Sequence, residues 1–333
     1  MSAHQTKIVR FHESGNAEVL KFDMMPLSDP GENEIRIRVE AIGLNRAEIM
    51  FRESSYLEMP VFPSRLGYEA SGTVEALGAS VSGFSVGDRV STIPAFSMGE
   101  YGVYGETAIV PASAVAHYPD NLSTIEGTSI WMQYITAYGA LIEIANLEKG
   151  GTILLTAASS SVGIAAIQIA KMVEATVIAV TRTKNKKGDL LKSGADYVIV
   201  TDEQDLAATV SALTEGKGFD LAFDPIGGPM LTELAEAAAG GSTIIEYGAL
   251  SPEQTVYPLF LSLEKGLSIR GYVLFEVTQC PEKLSKAKQF ISAGLESGKL
   301  KPLVDRVFSF DEIADAQRYM ESNEQMGKIV VTV

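Results

Sequence analysis

Two textures of apolar and polar positions divide the chain. Over residues 1–125 the apolar positions fall in short alternating or β-branched runs, at 7–11, 34–41, 70–77, 88–92 and 107–111. Asp29-Pro30-Gly31, Gly78, Gly83, Gly87-Asp88 and the glycine-rich 99–105 punctuate them. Many short strands with turn signals predict a barrel or sandwich. From Thr124 the period changes. Residues 124–145 read as one long helix rich in small residues, 152–155 as a strand buried on both faces, and 162–173 as a helix. Strands and helices then alternate: helix 186–193, strand 197–200, helix 205–213, strand 221–224, helix 230–238, then strands 242–247 and 267–272. Alternation of that kind predicts a parallel, doubly wound sheet with helices on both faces. The last stretch gives a helix over 281–297, a β-like run at 304–310, a helix at 311–321 and a terminal strand, 328–333. That strand would pair with the N-terminal β-rich domain. The expected organisation is therefore α/β, with a discontinuous β-rich domain (1–125 and 273–333) and a doubly wound domain (126–272).

The most informative stretch is 151–180, GTILLTAASSSVGIAAIQIAKMVEATVIAV. It reads as strand, small-residue turn, helix, strand. The turn feeds a helix N-terminus, whose unpaired N–H groups and dipole favour a phosphate. A dinucleotide fingerprint carries three glycines, and here Gly163 alone stands in place of the last. Ser160 and Ser161 lie where the backbone would pass close to the ligand. On these residues alone, the turn binds phosphate or merely connects two elements.

Composition narrows the partners. The 333 residues are 46% hydrophobic and 21% charged, ordinary for a globular protein with room for two domains. A net charge of −15 would repel a nucleic-acid backbone, so no nucleic acid is expected as partner. A single cysteine, Cys280, excludes an intrachain disulfide and any multi-cysteine zinc cluster. No run has the length of a membrane span, and MSAHQTKIVRF lacks the apolar core of a signal peptide, which gives a cytoplasmic expectation.

Several motifs then add up. Gly43-Leu44-Asn45, Gly67-Tyr68-Glu69-Ala70-Ser71-Gly72-Thr73-Val74, Gly87-Asp88-Arg89-Val90, Thr136-Ala137-Tyr138-Gly139, Asp224-Pro225-Ile226-Gly227-Gly228 and the closing Gly327-Lys328 resemble the medium-chain dehydrogenase/reductase superfamily. Within it, the chain is most similar to the zinc-independent NADPH:quinone oxidoreductases. The resemblance runs from Lys7 to Val333. It implies a GroES-like catalytic domain and a Rossmann domain for NADPH, with quinone or α,β-unsaturated carbonyl substrates and a homodimer joined through the last Rossmann strand.

Zinc enzymes of this superfamily place ligands where this chain has Asn45, Tyr68 with Glu69, and Met132. Only the glutamate could bind zinc. His4, His12 and His117 have no ligand spacing, so no metal is expected. A quinone or enone needs no Lewis acid, because the charge it gains is delocalised. The protein must then position the reactants and donate hydrogen bonds to the substrate oxygen.

By the resemblance, the active-site asparagine falls on Asn45, the cleft tyrosine on Tyr56, a second tyrosine on Met50, and a nicotinamide-side threonine on Thr136. The plainer alternative is that Asn45 caps a helix and Tyr56 lines a loop. Glu69 could serve as a general acid, but reads more simply as a structural carboxylate paired to a nearby arginine. Ser160, Ser161, Val162, Gly163, Thr201, Gly248 and Lys328 fall at cofactor positions. An NAD site carries an acidic residue after the second strand. Here the strand ends Val180-Thr181-Arg182-Thr183-Lys184-Asn185-Lys186-Lys187, and Arg182 and Lys186 suit a 2′-phosphate. Two rival readings stay open: reduction of the double bond of enals, enones or enoyl thioesters, and a nucleotide-binding sensor or structural protein with little catalysis.

Overall fold

The computed structural model describes residues 4–333. Fifteen strands are formed: β1 (Gln5–Phe11), β2 (Leu20–Pro26), β3 (Glu34–Gly43), β4 (Glu69–Leu77), β5 (Arg89–Thr92), β6 (Thr107–Pro111), β7 (Val115–His117), β8 (Thr152–Leu155), β9 (Thr176–Thr181), β10 (Tyr197–Val200), β11 (Phe219–Asp224), β12 (Ala238–Glu246), β13 (Ser268–Gly271), β14 (Val304–Ser309) and β15 (Lys328–Thr332). They belong to two units. One comprises Met1–Met132, described from residue 4 on, with Pro302–Val333; the other is Gln133–Lys301.

In the first unit the sheet order is β14-β15-β3-β4-β5-β7, β6 adds to β3, and β1 and β2 form a separate antiparallel ribbon. Alternation decides which faces are covered: in β3, Ile35, Ile37 and Val39 are buried and Arg38 is exposed between them. The C-terminal strand closes the unit, because β15 pairs antiparallel with β3, Val330 opposite Gly43. This long-range pairing is the discontinuous organisation expected from the terminal run.

The second unit is a six-stranded parallel sheet in the order β10-β9-β8-β11-β12-β13. Its central strands are apolar on both faces, as a sheet with helices on each side requires. Leu154, Ile178, Ile199, Ala222 and Ile244 meet Leu206, Val210, Leu231 and Leu234 from the helices in one core. The strand order reverses between β8 and β11, and ligands of such sheets bind beyond the carboxyl ends at that switch point.

Three expectations need correction. Residues 273–301 were assigned to the β-rich domain, yet they group with the parallel sheet. The helix Pro281–Glu296 is held there by Phe290 on Tyr138, ring centroids 5.2 Å apart, and by Lys283 to Glu143 at 3.5 Å. The single helix over 124–145 is instead Thr124–Gly127, Trp131–Tyr138 and a π-helical Gly139–Ile144. Tyr272 explains the π segment: its hydroxyl donates to the Ile135 carbonyl at 3.4 Å, and a β-carbon at Gly139 would lie 2.0 Å from that oxygen. A side chain wedged into the backbone ladder widens it. Finally, β2, β7 and the helices Leu259–Lys265 and Phe275–Thr278 were not anticipated.

One buried cation fixes the helix Arg46–Arg52 on the first unit. The Arg52 side chain is wholly buried, donating to the Gly15 carbonyl at 2.9 Å, to Gln317 Oε1 and to Glu321. Replacing Arg52 by Met leaves the buried Gln317 oxygen without its donor and removes the partner of the partly exposed Glu321. We expect Arg52→Met to lose about 3 kcal/mol in urea unfolding; a loss below about 1 kcal/mol would show that these bonds contribute little.

Candidate active site

In the first unit the Asn45 position begins a helix. Asn45 is the N-cap of Arg46–Arg52, and Glu48, three residues on, accepts the Asn45 backbone N–H at 2.8 Å. The spacing Asn-x-x-Glu is one half of a capping box, legible in the sequence. The alternative reading of Asn45 as a cap thus describes its backbone. Its side chain is engaged elsewhere.

Asn45 Oδ1 accepts from Lys328 Nζ at 2.7 Å, and that ammonium also bonds Glu69. Asn45 Nδ2 has three longer contacts, to the Gly43 carbonyl at 3.2 Å and to Glu48 Oε1 and Glu69 Oε2, both at 3.3 Å. Glu69 Oε1 accepts the Met132 backbone N–H at 2.8 Å. The carboxylate at 69 is therefore paired with a lysine from β15, not with an arginine as expected. Lys328, placed by resemblance at the cofactor, is 1% exposed and commits its ammonium to this cluster. Gly43 gives it room, since a β-carbon there would lie 2.8 Å from Lys328 Cε and 2.3 Å from the Thr128 carbonyl oxygen.

Glu48 continues the network. It is fully buried, and it accepts from Tyr104 Oη at 2.5 Å and the Tyr68 N–H at 3.1 Å. Burial pushes its carboxyl up, while Tyr104, the Asn45 N–H and Lys328 oppose that shift. Tyr104 in turn accepts from Gln317 Nε2 at 3.3 Å, whose Oε1 takes the Arg52 guanidinium. Lys328 pairs with Glu69, whereas Arg52 pairs with Glu321 and Glu53 and reaches Glu48 only through Gln317 and Tyr104. Tyr56, half-buried, meets Tyr68 hydroxyl to hydroxyl, and burial raises both phenols above their ordinary range. Reading the sequence missed Tyr68, Tyr104, Arg52 and Gln317 as members of the cluster. Only the Asn45–Glu48 spacing offered a local signal.

In the second unit the other expected residues lie on segments that follow the carboxyl ends of β8, β9, β10 and β12, except Thr136, buried in Trp131–Tyr138. Ser160 caps the helix Ser161–Met172, its Oγ accepting the Gly163 N–H at 3.0 Å. Ser161 and Val162 open that helix. Gly163 must be glycine, because a β-carbon would sit 2.5 Å from the Ala158 carbonyl oxygen. Ala157, at φ 44°, holds a left-handed conformation that a β-carbon disfavours, as strained turns at binding sites do.

The cation run sorts itself. Lys186 Nζ donates to Ser159 Oγ at 3.2 Å, reaching the phosphate turn, whereas Lys184 lies 3.7 Å from Glu203 and Arg182 is exposed. Thr201 continues the β9–β10 pairing, its N–H on the Thr181 carbonyl at 3.0 Å, and Gly248 packs on Pro225. Among the described residues, no group of three His, Cys, Asp or Glu side chains could hold a metal ion.

Beside Gly248 is a pair of acids that the sequence reading passed over. Asp224 is buried, bonded by the Thr156 hydroxyl and by the Gly227 N–H at 2.7 Å, and Glu246 stands opposite it on β12. Glu246 Oε1 is a buried oxygen without a donor. Burial first, then the Asp224 charge and a shared proton, push the Glu246 carboxyl up to about 9.

Known proteins agree with this architecture. Residues 31–120 match the family described as alcohol dehydrogenase GroES-like domain, and residues 161–293 that described as zinc-binding dehydrogenase. Human quinone oxidoreductase is 28% identical over 332 residues, 98% of this chain and 97% of that protein. The Escherichia coli quinone oxidoreductase complexed with NADPH superposes with a TM-score of 0.90 at 26% identity, covering 98% and 100% of the two chains. An NAD-dependent alcohol dehydrogenase superposes at 0.88 with 30% identity, covering 98% and 99%. The chain belongs to the medium-chain dehydrogenase/reductase superfamily, in its quinone oxidoreductase-like branch.

The acid pair generates a pH signature. Unfolded, Glu246 loses its proton near pH 4.5; folded, it keeps the proton to about 9. Between those values the native state binds more protons, so this group makes stability fall as pH rises, and the fall levels off above about 9. Glu246→Gln, neutral throughout, removes that slope. Its melting temperature relative to the parent should rise steadily from pH 5 to pH 9 in circular-dichroism melts, and a difference independent of pH would contradict the shared proton.

Proposed function

We propose that this oxidoreductase uses NADPH to reduce a quinone or an α,β-unsaturated carbonyl, without a metal ion. The observation that carries the cofactor choice is the end of β9. Thr181, Arg182 and Thr183 leave no carboxylate there, and Lys186 reaches from the following turn to Ser159 at the start of the phosphate turn. The residues present fit a phosphorylated dinucleotide: the Ser161 and Val162 N–H groups open a twelve-residue helix, and Lys186 and Arg182 supply cations for the 2′-phosphate. Thr136 and Gly248 would complete its nicotinamide side. Bound there, NADPH supplies a hydride.

The chain's own part is positioning and polarity. Asn45 and Tyr56 donate hydrogen bonds to the acceptor's oxygen, whose charge grows as reduction proceeds. Met50, where relatives have a tyrosine, makes the surroundings more apolar. Water delivers the final proton. Relatives named quinone oxidoreductase over the full chain support this substrate class.

A homodimer through the free edge of β13 is the assembly we expect, in the cytoplasm. β13 ends the sheet, and Tyr257, Leu259, Phe260 and Leu263 nearby are exposed. No helix among the described residues is long and apolar enough to cross a membrane.

Fluorescence titration with NADPH and NADH, followed by initial rates with 9,10-phenanthrenequinone, 1,4-benzoquinone and a panel of enals, tests the reading. Turnover of quinones with NADPH is expected. Enals reduced and quinones untouched would favour a double-bond reductase, and tight NADPH binding with no turnover a sensor. Reversing both cations, Arg182→Glu with Lys186→Glu, should weaken NADPH by about 10–100-fold and leave NADH nearly unchanged. Ser160→Gly with Ser161→Gly frees the Gly163 N–H that Ser160 now occupies. It should bind NADPH more tightly than the parent; equal or weaker binding would show that the serines do not crowd the phosphates.

A further inference from the structure

The geometry points to Lys328 as a positioning residue that clamps the Asn45 amide with its donor end toward the substrate oxygen. This rests on Asn45 contacting that oxygen. An ammonium only donates, so it decides which end of the amide faces it. The 2.7 Å bond from Nζ to Oδ1 is the one short contact Asn45's side chain makes. At the other end, Nδ2 has two hydrogens and three acceptors, all at 3.2–3.3 Å. Bonds of that length spread over too many acceptors are weak and exchangeable. The amide is thus held at its oxygen, and its N–H groups are the half it can yield to a ligand.

A second effect is electrostatic. Two carboxylates, Glu48 and Glu69, lie within 3.3 Å of Nδ2 and would oppose negative charge growing on an oxygen beside it. Lys328 touches Glu69 and Asn45 directly, whereas Arg52 reaches Glu48 only through Gln317 and Tyr104. The nearest compensation for both carboxylates is therefore Lys328. No ion is needed to supply it. The zinc relatives hold their metal at the positions matching Asn45, Tyr68 with Glu69, and Met132, and here a side-chain cation bonds Asn45 and Glu69, whose other oxygen takes the Met132 N–H.

The test uses the full chain and removes both charges together, Lys328→Met with Glu69→Gln, so that no lone buried charge is left. Parent, double variant, Asn45→Ala and the triple combination are compared for kcat, for KM and Kd of NADPH, and for binding of 4-nitrophenol. The absorbance of that probe reports how much of it is bound as the phenolate, a stand-in for the substrate's developing oxyanion. The double variant should lose at least about tenfold in kcat, keep NADPH affinity within about threefold, and bind less phenolate. In the Asn45→Ala background the charge removal should cost nothing further. Lys328→Arg, which keeps the donor and the charge, should restore most of the rate.

Unchanged kcat and phenolate binding, an equal loss with and without Asn45, or a loss confined to NADPH affinity would each overturn the assignment; the last would return Lys328 to the cofactor. Should the double variant fail to fold, Lys328→Gln with Glu69→Gln, neutral yet able to donate to Oδ1, is read in its place by the same criteria. A parent protein that neither turns over nor binds the probe refutes the reading of Asn45 itself and is distinguished from these outcomes before any variant is made.

Discussion

The ion pair between Lys328 and Glu69 organises the first unit. It joins residues 259 apart in sequence, one on the last strand and one at the start of β4, in a site where neither side chain sees solvent. Burying two charges is costly, and an apolar pair of similar volume often matches or exceeds such a bridge in stability. What an ion pair adds is intolerance of alternatives. If β15 slipped by one residue on β3, Lys328 would move to the opposite face of the sheet and leave Glu69 uncompensated. The pair therefore specifies the register Val330 opposite Gly43, and with it the closure of a domain whose two parts lie at opposite ends of the chain.

The same constraint reaches the chemistry through Asn45. Its backbone is set by the capping contact with Glu48, its amide oxygen by Lys328, and both partners are bonded in turn: Glu48 by Tyr104 and the Tyr68 N–H, Glu69 by the Met132 N–H. A polar network of this kind rigidifies only when its members are satisfied. The second unit keeps less of its polar surface satisfied. Glu246 leaves an oxygen without a donor, and Ala157 sits in a left-handed turn. These two residues lie at the carboxyl edge of the sheet, where a nucleotide would be bound, and strain there is tolerated because the core beneath it over-determines the strands.

Reading the sequence located thirteen of the fifteen strands within a few residues, for a reason visible in the burial. Buried strands such as β8, β9 and β11 are continuous apolar runs, and β3 alternates. β2 escaped because only Leu20 in it is buried, so no pattern was imposed on its sequence. The break in 124–145 escaped for a different reason. The cause of its π-helical end is Tyr272, more than a hundred residues away, and local periodicity has no access to a distant side chain entering a helix ladder. Of the candidate site residues, those carried by short motifs could be named from the sequence: Asn45, Gly163 and Lys186. The partners that decide what those residues do, Lys328 on Asn45 and Ser159 under Lys186, come from pairings that only the fold creates.

Lys328 shows how much the fold adds to a motif. Read as part of a closing Gly-Lys, it belongs beside the cofactor; in the fold it is one of the largest fully buried side chains in the molecule. The glycine opposite Val330, two residues on from Lys328, explains the difference. With no β-carbon at Gly43, the space above β3 admits a lysine stem between the Thr128 carbonyl and Asn45. A larger residue at 43 would push the ammonium away from both its partners. The lysine's position is thus set by a residue at the other end of the chain, and under the proposed reading the chemistry of Asn45 depends on that glycine.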